Sequence, residues 1–212
     1  MIGSIRRPMK PDPARLASNA GVVIPIRAFT LGKARLAETL DAQERAELAQ
    51  RMADRVLRAA DGLATVVVSS APEVCAWARS HAVAVVDDPG GLDRAATAGV
   101  EWCALRGLAR AVVAHADLPL APEGGLRRYA EDSTRPIVTI VPCHRGDGTP
   151  VLSVPVATTF PFAYGPGSFR RHVQIARRLG LAVRVVRDPD LGFDVDVPAD
   201  LDGLCSAAAG KP

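Results

Sequence analysis

Lys33 and Arg35 follow Gly32 just beyond the apolar run Val22–Ile26, and acidic residues follow later apolar runs: Asp117 after Ala111–His115, Asp194 and Asp196 near the C-terminus. A strand that turns through glycine into a helix start leaves backbone N–H groups free. Two cations beside them make a site for a polyphosphate. The plain alternative is a basic helix start on a solvated face. The spacing is not that of a P-loop, and no G-x-G-x-x-G follows a strand, so neither a P-loop NTPase nor a dinucleotide-binding dehydrogenase is indicated. Asp117 stands at a strand end before Leu118-Pro119, where an oxygen ligand suits Mg²⁺ and a helix N-cap is the other use. Asp194 and Asp196, with one residue between them on extended chain, point to one face. Their charges repel unless a cation lies between, which makes them metal ligands or, alternatively, caps of the helix opened by Pro198. A basic cradle and aspartates at strand ends describe a site for Mg²⁺-nucleoside triphosphate, with phosphoryl or nucleotidyl transfer as the reaction class.

The elements that must position these groups follow from the alternation of β-branched runs with amphipathic stretches, the pattern of a mostly parallel sheet with crossover helices. Strands are expected at Val22–Ile26, Thr65–Ser69, Val83–Val86, Ala111–His115, Ile137–Val141, Val151–Val154 and Ala182–Arg187. Helices are expected over 41–59, 71–80, 92–106, 123–132 and 169–179, and from Pro198. Ligands collect at the carboxyl ends of strands in such a sheet, which draws in Ser69 and Asp87 as polar strand-end residues. Two glycine-rich loops, Gly146-Asp147-Gly148-Thr149 and Gly165-Pro166-Gly167-Ser168, combine close backbone approach with a hydroxyl. The second opens a helix whose N-terminus favours an anion. Each loop alone is also simply a turn. The histidines suggest no nucleophilic arrangement: His115 falls in a strand, His172 in a helix, and His81 and His144 read as exposed. Cys143 beside His144 reads as structural.

At 212 residues and 48% hydrophobic, the chain can bury a sizeable core as one α/β domain. Aromatics at 4% argue against stacking platforms for nucleic acid, and a net charge of +3 without a cationic block suits small anionic partners. The four cysteines, Cys75, Cys103, Cys143 and Cys205, form no C-x-x-C pair, so free thiols in a reducing cytoplasm are expected. Residues 1–18 lack the apolar core of a signal peptide, and no run is long enough to span a membrane. A mobile tail over 1–18 and a domain over 19–212 are expected, in the cytoplasm.

The order of motifs resembles the 2-phospho-L-lactate or phosphoenolpyruvate guanylyltransferases of deazaflavin coenzyme F-420 biosynthesis. The resemblance is carried by Ile24-Pro25-Ile26-Arg27 with Lys33-Ala34-Arg35-Leu36, Ala116-Asp117-Leu118-Pro119, Gly146-Asp147-Gly148-Thr149, Tyr164-Gly165-Pro166-Gly167-Ser168 and Asp194-Val195-Asp196-Val197-Pro198 with Asp200-Leu201. It implies a single-domain nucleotidyltransferase of the GT-A kind, a Rossmann-like three-layer sandwich on a mixed, mostly parallel sheet. Arg27, Lys33, Arg35, Ser69, Asp87 and Asp93 would serve the GTP, with Asp117, Lys33 and Arg35 as the catalytic set. Asp117, Asp194 and Asp196 would hold Mg²⁺, and Thr149, Gly165 and Ser168 would hold a phosphorylated three-carbon acid. The acid's phosphate would attack the α-phosphorus of GTP and release pyrophosphate, and a downstream transferase would consume the product. Three positions depart from the family pattern: Asp93 for Asn, Cys143 for Asp, and Pro150 for Thr or Asn. They bear on the choice of base and acid, so another base or acceptor, or a nucleotide-binding regulator without turnover, stands as the alternative. A homodimer is left open.

Overall fold

The computed structural model describes residues 19–131 and 136–209, so the tail expected over 1–18 lies outside the described residues. Among the described residues, seven strands and six α-helices follow one another: β1 (Ala20–Pro25), α1 (Ala42–Ala59), β2 (Ala64–Val68), α2 (Pro72–Ser80), β3 (Ala84–Val86), α3 (Leu92–Ala104), β4 (Arg110–Ala114), α4 (Arg127–Ala130), β5 (Ile137–Val141), β6 (Val151–Pro155), α5 (Ser168–Arg178), β7 (Ala182–Val185) and α6 (Pro198–Ala209). The strands form one sheet in the order β3-β2-β1-β4-β6-β5-β7. Every pairing is parallel except those of β6 with β4 and β5. This is the mixed, mostly parallel sheet the motifs implied.

Side chains alternate through the sheet because successive residues of a strand point to opposite faces. Val22 and Ile24 of β1 join one core with Val56 of α1, Trp77 of α2 and Leu126. Val23 joins the other with Ala96 and Trp102 of α3 and Ala176 of α5. Three layers result, with helices on both faces. Gly99 lets α3 lie close on β1, since a Cβ there would stand 2.0 Å from Val23 Cγ1. At the start of α1, Asp41 and Glu44 bond reciprocally to each other's backbone N–H at 2.8 Å, a capping box that fixes where the helix begins.

Two sequence expectations are corrected here. The helix start expected directly after Gly32 is only a three-residue 3-10 turn, Ala34–Leu36, because Lys33 adopts the left-handed region (φ 59°) and breaks the run. The helix expected over 123–132 shrinks to Arg127–Ala130, preceded by turns at Gly124 and Gly125; residue 132 lies outside the described residues. Among the described residues, no helix is long and apolar enough to cross a membrane.

The chain reverses its direction of growth at β1: β2 and β3 are added on one side, and β4 on the other. Such a switch opens a crevice beyond the carboxyl ends of the two central strands. Lys33 follows β1 and Asp117 follows β4, so both arrive at that crevice.

Candidate active site

A cleft of about 710 Å³ opens there, lined among others by Arg27, Lys33, Asp88, Gly91, His115 and Asp117. Its size suits a small organic ligand. Lys33 Nζ stands 2.5 Å from Asp117 Oδ2 and 3.1 Å from Asp196 Oδ1, with its side chain only 8% exposed. Lys33 is therefore not a cation on a solvated face. Burial acts to lower its pKa, but the charges of Asp117 and Asp196 overcome this and raise it. Burial likewise acts to raise the Asp117 carboxyl, and the Lys33 ammonium, helped by His115, brings it below the ordinary value. Asp194 differs: burial and the charges of Asp117 and Asp196 push its pKa up, against the opposing pull of Arg145.

The Asp194–Asp196 segment is organised by residues that the sequence did not single out for chemistry. Arg145 donates to both carboxylate oxygens of Asp200, at 2.6 and 3.3 Å, and lies 3.8 Å from Asp194 and 4.0 Å from Asp196. Asp200 in turn accepts from the backbone N–H of Asp196 at 2.7 Å and of Val197 at 2.9 Å. Burial opposes its ionisation, yet Arg145 and these N–H groups hold its pKa down to about 2. The capping role considered for Asp194 and Asp196 thus falls to Asp200. His144, stacked on Phe193, places Nδ1 3.2 Å from Asp194 Oδ1 and Nε2 3.4 Å from Asp200 Oδ1. The contact to Asp194 lacks hydrogen-bonding geometry. Asp194 Oδ1 and Asp117 Oδ1 are accordingly buried oxygens without a hydrogen-bond partner among the described residues.

The two glycine-rich loops meet. Asp147 of the first accepts from the Gly167 N–H of the second at 2.9 Å, and its carbonyl accepts from Phe169 N–H at 3.0 Å. Beneath them, His172 Nε2 accepts from the Ala163 N–H at 3.0 Å, which leaves the ring proton on Nδ1 to donate to Thr149 Oγ1 at 3.1 Å. Ser168 donates its hydroxyl to the same Thr149 oxygen at 3.4 Å, and both hydroxyl residues are buried. Cys143 Sγ closes the first loop by accepting from Gly148 N–H at 3.1 Å, the structural use expected of it.

Several expected ligands of the nucleotide do not line the cleft. Ser69 is fully buried, and its hydroxyl accepts from the Ala71 N–H at 3.2 Å, so it serves the turn into α2. Asp87 is exposed outside the cleft, and its neighbour Asp88 lines it instead. Asp93 spends one carboxylate oxygen on the Tyr164 N–H at 2.6 Å, joining the start of α3 to the second loop. Arg35 is exposed on the 3-10 turn and is not among the lining residues. Arg27 is exposed and does line the cleft.

The model of the family described as "Guanylyl transferase CofC like" matches residues 20–211. The chain belongs to this family. Among the curated members, a phosphoenolpyruvate guanylyltransferase of Rubrobacter xylanophilus is 34% identical over 187 residues, 86% of this chain and 91% of that one. A 2-phospho-L-lactate guanylyltransferase of Methanocorpusculum labreanum is 33% identical over 171 residues, 80% of this chain and 75% of that one. Among solved structures, a nucleotidyl transferase from Methanothermobacter superposes with a TM-score of 0.63 at 18% identity, covering 89% of this chain and 96% of that one. A CMP:2-keto-3-deoxy-manno-octonic acid synthetase complexed with CTP gives 0.54 at 16% identity, covering 91% and 99%. At such identities these structures bear on the fold alone. The CofC-like chain is a nucleotidyltransferase, and in open α/β sheets ligands bind at a switch such as that between its β1 and β4.

Proposed function

We propose that the chain transfers GMP from GTP to the phosphate of a phosphorylated three-carbon acid, of the kind of phosphoenolpyruvate, 2-phospho-L-lactate or 3-phosphoglycerate, releasing pyrophosphate. The observation that carries this reading is the convergence at one crevice of Lys33 with Asp117 and Asp196, and of two buried carboxylate oxygens, on Asp117 and Asp194, that lack partners. Unpartnered buried carboxylate oxygens suit a hard divalent cation. The described residues form no ready cluster of three or more His, Cys, Asp or Glu groups around a metal position. Asp117 and Asp194, with Asp196, would hold Mg²⁺, which when bound neutralises phosphate charge and polarises the reacting phosphorus.

The chain's own residues then divide the work. Lys33, presented at the end of β1, faces the triphosphate, with Arg27 at the rim of the cleft. Positive charge there stabilises the leaving pyrophosphate as its charge develops. Arg35 stands outside the lining, on the turn beside Lys33, and Asp93 acts on the acid's side by fixing Tyr164 and with it the second loop. Thr149, Gly165 and Ser168 serve the acid through the joined glycine loops, which Asp147 fixes by taking the Gly167 and Phe169 N–H groups at the start of α5. The acid's phosphate is itself the nucleophile, so positioning and charge neutralisation suffice and no covalent enzyme intermediate is formed. The same reading places the protein in the cytoplasm, on the route to coenzyme F-420, with a downstream transferase taking up its product.

The test is to incubate the protein with each nucleoside triphosphate and each phospho-acid, reading pyrophosphate and product mass. GTP with one of the three acids is the expected productive pair. Asp117→Asn should keep the fold and lose at least a hundredfold in turnover, a cost of roughly 3 kcal/mol or more. It should also weaken Mn²⁺ binding measured by electron paramagnetic resonance. Undiminished turnover and Mn²⁺ binding in this variant would sink the assignment.

A further inference from the structure

Among the other buried polar atoms without a hydrogen-bond partner, two belong to neighbouring rings, His115 Nε2 and the Tyr164 hydroxyl, and His115 adjoins Asp117. His115 stands just past the end of β4, where its backbone N–H donates to Pro150 O at 2.8 Å, and its Nδ1 is 3.9 Å from Asp117 Oδ1. The Tyr164 ring lies against it, centroids 5.3 Å apart. Tyr164 is also held by a near-parallel Phe162 at 5.9 Å and an edge contact with His172 at 4.9 Å. Its N–H is bonded to Asp93 and its carbonyl accepts from Arg171 at 3.0 Å. The ring is thus fixed on every side, while its hydroxyl makes no bond.

A buried hydroxyl without a partner gives up its hydration for nothing, so phenylalanine would serve the fold better here. The loss is understandable where a ligand completes the pair. Both groups can donate, so a ligand presenting acceptor oxygens between the cleft, which His115 lines, and the second glycine loop, which Tyr164 immediately precedes, would complete them. On the reading of the reaction given above, the acceptor carries two anionic groups: a phosphate that reacts and a carboxylate that does not. We propose that His115 and Tyr164 recognise that carboxylate, the phenolic O–H and an imidazole N–H each donating to one oxygen. They act as specificity residues, distinguishing a phospho-acid from a plain phosphate monoester. A site built to donate to a charged group rejects an analogue lacking it far more strongly than an apolar pocket rejects a size change.

The experiment uses Tyr164→Phe, which deletes only the hydroxyl, alongside His115→Gln. Binding of phosphoenolpyruvate to the Mg²⁺-loaded protein with a non-hydrolysable GTP analogue is measured by calorimetry, and turnover is measured with the preferred acid and with glycerol 2-phosphate, which has no carboxylate. Tyr164→Phe is expected to weaken phosphoenolpyruvate binding and kcat/KM for the acid roughly ten- to a hundredfold, with the KM for GTP within about twofold of wild type. Its melting temperature should hold or rise, because an unpaired polar atom has been removed, and its deficit should disappear with glycerol 2-phosphate. Unchanged phosphoenolpyruvate binding, or an equal loss on both acceptors, overturns the proposal, as does a wild-type protein that binds no phosphoenolpyruvate. Should wild type bind phosphoenolpyruvate through Tyr164 yet make no guanylylated product, the inference stands and the reaction assignment fails.

Discussion

Lys33 combines an ammonium shared by two carboxylates with a backbone at φ 59°, a region that L side chains seldom adopt. These properties separate by substitution. Lys33→Ala and Lys33→Gly should both raise the KM for GTP and lower kcat, since each removes the cation. Only the glycine variant relieves the left-handed backbone, and it should be more stable than the alanine variant by about 1 kcal/mol in urea unfolding. Equal stability would show that the turn carries no strain. Asp117 was legible in the sequence because it stands just beyond an apolar run, and the Asp194/Asp196 pair because two carboxylates one residue apart on extended chain share a face. Arg145, His144 and Asp200 were not, since their partnership joins residues more than fifty positions apart and leaves no local period. Ser69 shows the converse: its strand-end position was legible, but the turn that absorbs its hydroxyl two residues later was not.

At the scale of elements, the turn that delivers Asp194 is held by Asp188. Its Oδ2 accepts from the Tyr129 hydroxyl at 2.6 Å and pairs with Arg128 at 2.8 Å, while Oδ1 accepts from the N–H groups of Asp190 and Leu191, both at 3.1 Å. Burial, and then the bond to Asp188, push the Tyr129 hydroxyl's pKa up, so it stays a donor. Asp188→Ala leaves a buried hydroxyl and two turn N–H groups without their acceptor. The expected loss is about 3 kcal/mol of stability in urea unfolding, accompanied by weaker Mn²⁺ binding because the 193–197 segment is no longer fixed. A destabilised variant with unaltered Mn²⁺ affinity would separate the clasp from the site. The strands and long helices were legible through their periods; α1 even declares its start through Asp41 and Glu44. The short α4 was overestimated because Gly124 and Gly125 turn the chain ahead of Leu126, so the helix forms only from Arg127. Nothing local announced that β6 would run against its neighbours, since an antiparallel central strand has the same apolar composition as a parallel one.

For the whole molecule, acid should act in two windows. Burial, and then the nearby charges of Arg171 and His115, push the His172 pKa down to about 4, so the folded protein keeps this ring neutral while the unfolded chain protonates near 6.5. Between those values the unfolded state binds more protons, and stability falls as pH drops from 6.5 toward 4, by up to about 3 kcal/mol. Asp200, held at about 2, contributes a separate loss as pH falls from about 3.8 through 2. Melting temperatures across pH should show the first decline in wild type and lack it in His172→Gln, which cannot titrate. A first decline of equal size in both proteins would assign it to other groups.

The single reversed strand, β6, has a consequence of its own. By turning the chain back at 142–150, it sets the second glycine loop, reached after a return past Phe160 and Phe162, beside the first at one rim of the crevice. Lys33 and Asp117 arrive by the parallel crossovers of the other half of the chain. On the proposed assignment, the donor of the nucleotide is served mainly from residues 20–117 and its acceptor mainly from residues 142–168, two stretches joined by the β4–β6 pairing, the Asp93–Tyr164 bond and the His115–Tyr164 ring contact. Substitutions confined to residues 142–168 should therefore alter use of the acid while the strands that carry Lys33 and Asp117 keep their register.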